Sequence, residues 1–147
     1  MIELEVTARS AAPAERVFQL LADVTTWPAW ARFDAAEVES GAGVGEVRVF
    51  RSGRVATRER VTALEPSRRL AYELLSGLPV VGHQAEVLLT ALEGRGTKIR
   101  WRSSFEPAIP GTGRLVRRRL ERFVAEAAEG LARAAERAAA AGRARGG

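Results

Sequence analysis

The chain has 147 residues, 46% apolar and 28% charged, with a formal charge of +5, one histidine and no cysteine. That length suits a single domain with a full-sized core, and the absent cysteine excludes a disulfide framework, a thiolate metal site and cysteine catalysis. No apolar run reaches the ~20 residues of a membrane span, and Met1-Ile2-Glu3-Leu4-Glu5 is no signal peptide, so a cytoplasmic protein without stable membrane insertion is expected.

Residues Ile2 to Arg9 alternate apolar and polar, the period-two mark of a strand with one wet face. Pro13 and Glu15 open a helix carrying Val17, Phe18, Leu20, Leu21 and Val24 at helical spacing. Asp23 to Thr26 close it, and Pro28 begins a second short turn over Trp27 to Trp30. From Ala35 to Glu106 the pattern is β-like. Strands are expected near 36–39, 46–50, 54–63, 69–75, 81–92 and 97–105, separated by turns rich in Gly, Pro and Ser. Such short connections predict antiparallel pairing. Pro107 and Pro110 stop the sheet, and a long helix follows from about Gly113 to Ala141. Its apolar stripe is Val116, Leu120, Phe123, Val124, Ala127, Leu131 and Ala134. Residues 1–141 thus read as one domain and 142–147 as a disordered tail.

All but one of the 23 basic residues are arginine, Lys98 being the exception. They interleave with acids except at Arg114, Arg117, Arg118, Arg119 and Arg122 and at Arg143 and Arg145. This concentration reads as a solvated helix face, not a nucleic-acid site.

Three segments give the pattern a family likeness: Ala22-Asp23-Val24-Thr25-Thr26-Trp27-Pro28-Ala29-Trp30, Leu64-Glu65-Pro66-Ser67-Arg68-Arg69-Leu70-Ala71-Tyr72, and Gly96-Thr97-Lys98-Ile99-Arg100-Trp101. In this order the chain resembles the START-like superfamily of SRPBCC type, with its polyketide cyclase/dehydrase and lipid-transport members, and looks most like small bacterial ones. The resemblance implies an α+β helix-grip fold. A curved antiparallel sheet of six to seven strands would surround a long C-terminal helix, with two short helices after the first strand. It also implies a cavity for a small hydrophobic or amphipathic molecule. Members of this family bind lipids or hormones, cyclise polyketides or activate a chaperone, so the likeness does not choose among carrier, enzyme and protein-interaction module. The Ser76-Gly77-Leu78-Pro79-Val80 segment resembles the gating loop of hormone-binding relatives, though it reads equally as a turn.

Strand alternation sorts side chains by face. Val55, Thr57, Glu59 and Val61 share one face, as do Leu70, Tyr72 and Leu74. His83, Ala85, Val87 and Leu89 form a third set, and Thr97, Ile99, Trp101, Ser103 and Phe105 a fourth. Glu59, Tyr72, His83 and Ser103 are polar on otherwise apolar faces, where an unpartnered group costs roughly 1–3 kcal/mol, so they suggest the polar lining of a greasy pocket. Glu59 and His83 are the candidate acid–base groups and Tyr72 the candidate donor to an enolate. Trp30, Phe33, Thr57, Val87, Trp101, Leu120, Phe123 and Val124 are the expected apolar lining, with Trp27 as packing. One histidine without cysteine leaves no zinc set, so no cofactor or metal is expected. The expected partner is a small hydrophobic ligand, with the protein a monomer or homodimer.

Overall fold

The computed structural model describes residues 1–146. Period-two alternation becomes seven strands: β1 (Ile2–Ser10), β2 (Ala35–Ser40), β3 (Val47–Ser52), β4 (Val55–Glu65), β5 (Arg69–Ser76), β6 (Val80–Ala91) and β7 (Thr97–Pro107). They form one antiparallel curved sheet in the order β1-β7-β6-β5-β4-β3-β2. Helix α1 (Ala14–Ala22) follows β1 and helix α2 (Gly113–Gly146) follows β7. The architecture is the expected α+β helix grip.

Between α1 and β2 the expected break at Pro28 does not occur. Val24–Ala29 is a single 3-10 helix that contains Pro28 and is capped by the Asp23 carboxylate, which accepts from the Thr25 amide at 3.0 Å. Pro28 is the fifth of its six residues, and the bonds that hold the turn lie on either side of it, from the Thr26 amide to the Asp23 carbonyl and from the Trp30 amide to the Trp27 carbonyl.

The inner face of the sheet packs on α1, the 3-10 helix and α2 around one apolar core. In β7 the alternation is strict, with Thr97, Ile99, Trp101, Ser103 and Phe105 all buried. Strand β4 departs from it. Val55, expected on the inner face, is 50% exposed at the tip of the β3–β4 hairpin. Further along, the register shifts between Arg58 and Glu59 and between Val61 and Ala63; Val61 is buried and Leu64 packs against the core.

Helix α2 buries Val124, Ala127 and Leu131 as expected, and also Ala128, Ala132, Ala135 and Ala139, so its contact stripe is broader and rests on alanine. These small residues let the helix lie close. At Gly130 a β-carbon would stand 2.0 Å from the Trp30 carbonyl oxygen, so only glycine allows this approach. The helix continues through Gly146, past the Ala141 at which the sequence pattern ends it. Alanine and arginine favour helix strongly enough to carry it across Gly142. Of the expected tail, Gly147 lies outside the described residues.

Candidate functional site

The sheet register brings the polar candidates onto one surface. Val61, Tyr72, Ala85, Ser103 and Leu4 are successive partners across β4, β5, β6, β7 and β1. Glu59 pairs with Leu74 on β5 and with Arg48 on β3. The β6–β7 register shifts between Val81 and Gln84, where Gly82 takes a positive φ and His83 turns inward, buried.

Hydrogen bonds link these groups in pairs. The Trp101 indole N–H donates to the Tyr72 hydroxyl oxygen at 3.0 Å, leaving the phenol's own proton free to be donated. Ser103 Oγ and His83 Nε2 share a hydrogen bond of 3.0 Å, and the Tyr72 and His83 rings lie 6.0 Å apart. The other imidazole nitrogen, Nδ1, is buried without a partner. Burial lowers the His83 pKa to about 4, which keeps the ring neutral. It raises that of Tyr72, with the neighbouring Glu59 charge adding to the rise.

Glu59 is half-buried and accepts no hydrogen bond among the described residues. Desolvation raises its pKa to about 8, against an opposing pull from Arg48. Sequence reasoning missed Arg48. Its guanidinium is buried and donates to Glu46 at 2.6 Å and to the last carbonyls of α1, Leu21 at 2.9 Å and Ala22 at 2.6 Å. With its donors engaged at the negative end of α1, Arg48 presents charge to Glu59 without bonding to it. The signal was available. A tight β3–β4 hairpin pairing Ser52 with Val55 necessarily sets Arg48 opposite Glu59.

Aromatic rings floor the site. Trp27 and Trp30 both sink into the core, their centroids 4.5 Å apart, and both approach Trp101, at 5.8 Å and 6.4 Å. Phe33 bridges Phe50 and Phe123 at 4.7 Å and 5.3 Å. Val87, Trp101 and Val124 are buried in the protein's own packing, whereas Phe33, Thr57, Glu59, Leu120 and Phe123 are only partly covered. Burial therefore grades along the molecule. Val17, Leu21, Ile99, Leu131 and Ala135 are sealed at the end where β1 finishes. Thr57, Leu74, Leu78, Val80, Val116 and Leu120 remain half-open at the end where β1 starts. The Gly77-Leu78-Pro79 turn is pressed onto β4 there, and a β-carbon on Gly77 would lie 2.4 Å from the Ala56 carbonyl oxygen.

Two concavities lie elsewhere. One of about 680 Å³ crosses the outer face of the sheet among Glu5, Arg69, Glu86 and Arg102. Another of about 400 Å³ lies between Trp30 and α2. Neither includes Glu59 or His83. The outer trough is charged and already cross-linked, Arg69 reaching Glu86 at 2.8 Å and Arg102 reaching it at 3.4 Å. Among the described residues no group of three or more His, Cys, Asp or Glu side chains is placed to hold a metal ion. None of their helices is long and apolar enough to cross a membrane.

Residues 1–136 match the family model for polyketide cyclase / dehydrase and lipid transport proteins. The chain belongs to this family. Solved structures agree with it in fold. The Zhui aromatase/cyclase from Streptomyces sp. R1128 superposes with a TM-score of 0.81 at 22% identity, over 92% of this chain and 94% of that one. The XoxI protein from Bacillus cereus gives 0.80 at 16%, over 91% and 95%. The di-domain ARO/CYC protein BexL, from the BE-7585A biosynthetic pathway, gives 0.77 at 19%, over 90% of this chain and 46% of that one. No curated protein is significantly similar in sequence. Membership in the polyketide cyclase / dehydrase and lipid transport family accounts for the greasy interior with few polar groups, and leaves the choice between carriage and catalysis to the side chains.

Proposed function

We propose that the chain binds a small, mostly apolar molecule bearing a few carbonyl or hydroxyl oxygens, held between the half-open end of the sheet and the first half of α2. The observation that carries this reading is Glu59, a half-buried carboxyl on an apolar face with no hydrogen bond among the described residues. A group so placed costs stability unless something else satisfies it. Protonated at neutral pH, Glu59 donates to a ligand carbonyl. Tyr72 offers its free proton beside it, and the orphaned His83 Nδ1 supplies another contact. Phe33, Thr57, Leu120 and Phe123, all partly exposed, cover the guest's apolar surface, and the buried Trp30, Val87, Trp101, Ser103 and Val124 form the packing behind them.

Calorimetric titration with a hydroxylated anthraquinone and with a long-chain fatty acid tests this. Wild type and Glu59→Gln are expected to bind comparably at pH 6, because the amide also donates. Glu59→Ala is expected to bind roughly tenfold more weakly, the loss of about one hydrogen bond to a buried partner. Equal affinity in Glu59→Ala and His83→Ala would contradict the reading. Native mass spectrometry of protein purified from its own host, searched for a co-purifying small molecule, identifies the guest.

A second reading, a cyclase/dehydrase, is favoured by the Glu59 pKa of about 8, close to where general acid–base groups work best. Ionised Glu59 would take a proton from carbon next to a carbonyl, while Tyr72 donates to the resulting enolate. Glu59→Gln that binds normally but turns over a poly-carbonyl substrate at least 100-fold more slowly establishes it.

A further inference from the structure

The described residues expose eight large apolar side chains, and six of them fall at one end of the molecule. Met1 precedes β1, Val55 opens β4, Leu75 is next to last in β5, Val81 is second in β6, Ile109 lies between β7 and α2, and Leu115 is in the first turn of α2. The antiparallel register places these segments at one end of the sheet: Ile2 pairs with Phe105, Val80 with Pro107, and Arg58 with Ser76. This is the half-open end beside Glu59, so the aliphatic tips border the loosely covered end at which a guest is proposed to enter.

Arginine accompanies them. Arg54 sits in the β3–β4 turn, and Arg114, Arg118 and Arg122 recur at four-residue spacing along α2, with Arg119 beside Leu115 and Arg122. All five are exposed, and none forms an ion pair among the described residues. Of the acids nearby, Glu106 lies against the N-terminal ammonium, Glu121 pairs with Arg117 and Asp34 accepts from the Gly53 amide, while Glu3 is exposed and the arginines outnumber it. Helix stability does not explain this charge. The first turn of α2 carries no acidic residue, and cations at a helix N-terminus oppose its dipole. A sequence that breaks a local rule without gain in the fold points to a role outside it.

We propose that this end of the molecule docks reversibly on an anionic bilayer surface, the arginines on lipid phosphates and the aliphatic tips set into the headgroup layer. Isolated aliphatic tips separated by arginines along a curved edge fit a fluid surface that conforms to them. A protein partner would call for a contiguous patch anchored by aromatic residues, and the exposed apolar side chains here include none. Docking in this orientation turns the entrance toward the bilayer, a reservoir of apolar molecules.

The test is co-sedimentation of the full chain with phosphatidylcholine vesicles, with and without one part in four phosphatidylglycerol. Binding is expected only to the anionic vesicles, and to weaken as salt is raised. The pair Arg114→Glu and Arg118→Glu is expected to weaken it at least ~10-fold, and Leu115→Ser with Ile109→Ser several-fold. Arg68→Glu with Arg95→Glu, the same charge change in turns at the opposite end, is expected to leave it unchanged. Arg118→Gln alone gives a milder check should the double variant not fold. Equal binding to both vesicle types, equal loss from reversals at either end, or binding to a soluble acidic protein but not to vesicles would overturn the proposal. No ligand enters this assay, so its failure leaves the ligand-binding reading standing, and failed ligand binding leaves docking standing.

Discussion

Glu59 and His83 share an inner face, and burial moves their proton affinities in opposite directions. In the unfolded chain Glu59 ionises near 4.5, whereas in the fold it holds its proton to about 8. Between these values the folded chain binds the extra proton, so rising pH costs stability across that interval and no further above it. Wild type is therefore expected to lose on the order of 2 kcal/mol relative to Glu59→Gln between pH 5 and pH 9, as read by urea unfolding at each pH. His83 acts on the acid side. Its unfolded value is 6.5 and its folded value about 4, so between them the unfolded chain binds the extra proton and acid destabilises the fold. His83→Gln is expected to flatten the loss of stability below pH 6. If both variants track wild type at every pH, the two side chains are not buried as described. At this scale the sequence showed that Glu59, Tyr72, His83 and Ser103 are polar residues on apolar faces. It did not show that Trp101 holds Tyr72, because that contact depends on register across β5, β6 and β7, whereas Arg48 opposite Glu59 follows from the tight β3–β4 hairpin alone.

At the scale of elements, legibility followed regularity. In β7 strict alternation passed directly into burial. In β4 the turn tip exposed Val55 and two register shifts moved its neighbours, and nothing in the composition marks a bulge. Helix α2 was readable where Leu and Val form its stripe and unreadable where alanine does, since alanine is equally at home buried or exposed. Gly130, a poor helix former by propensity, is the place where α2 passes the Trp30 backbone. Gly130→Ala, normally worth up to about 1 kcal/mol of added helix stability, is expected to destabilise this protein by about 2 kcal/mol or more, because the added carbon meets the Trp30 backbone. A stabilised variant would mean α2 does not lie so close. Arg48→Met tests how α1 is tied to β3. Losing the donors to Leu21 and Ala22 is expected to cost roughly 3–5 kcal/mol in denaturant unfolding, and removing the positive charge is expected to raise the Glu59 pKa further.

For the whole molecule, the seven strands and two helices make a grip that is sealed at one end by Val17, Leu21, Ile99 and Leu131 and loosely covered at the other. The strand pattern and the long terminal helix made the architecture legible, because each follows from side-chain period alone. The asymmetry between the ends was not, since it arises from how far each loop reaches over the interior. The central claim is that a guest enters at the loose end and lies on the Glu59 face of the sheet. The most direct measurement is a heteronuclear NMR titration of the isotope-labelled chain with a hydroxylated anthraquinone. Saturable shifts are expected at Glu59, Tyr72, His83, Leu120 and Phe123, with intermolecular contacts to the Phe33 and Phe123 rings. Shifts confined to Arg69, Glu86 and Arg102 on the outer face, with the Glu59 face unmoved, would contradict the account.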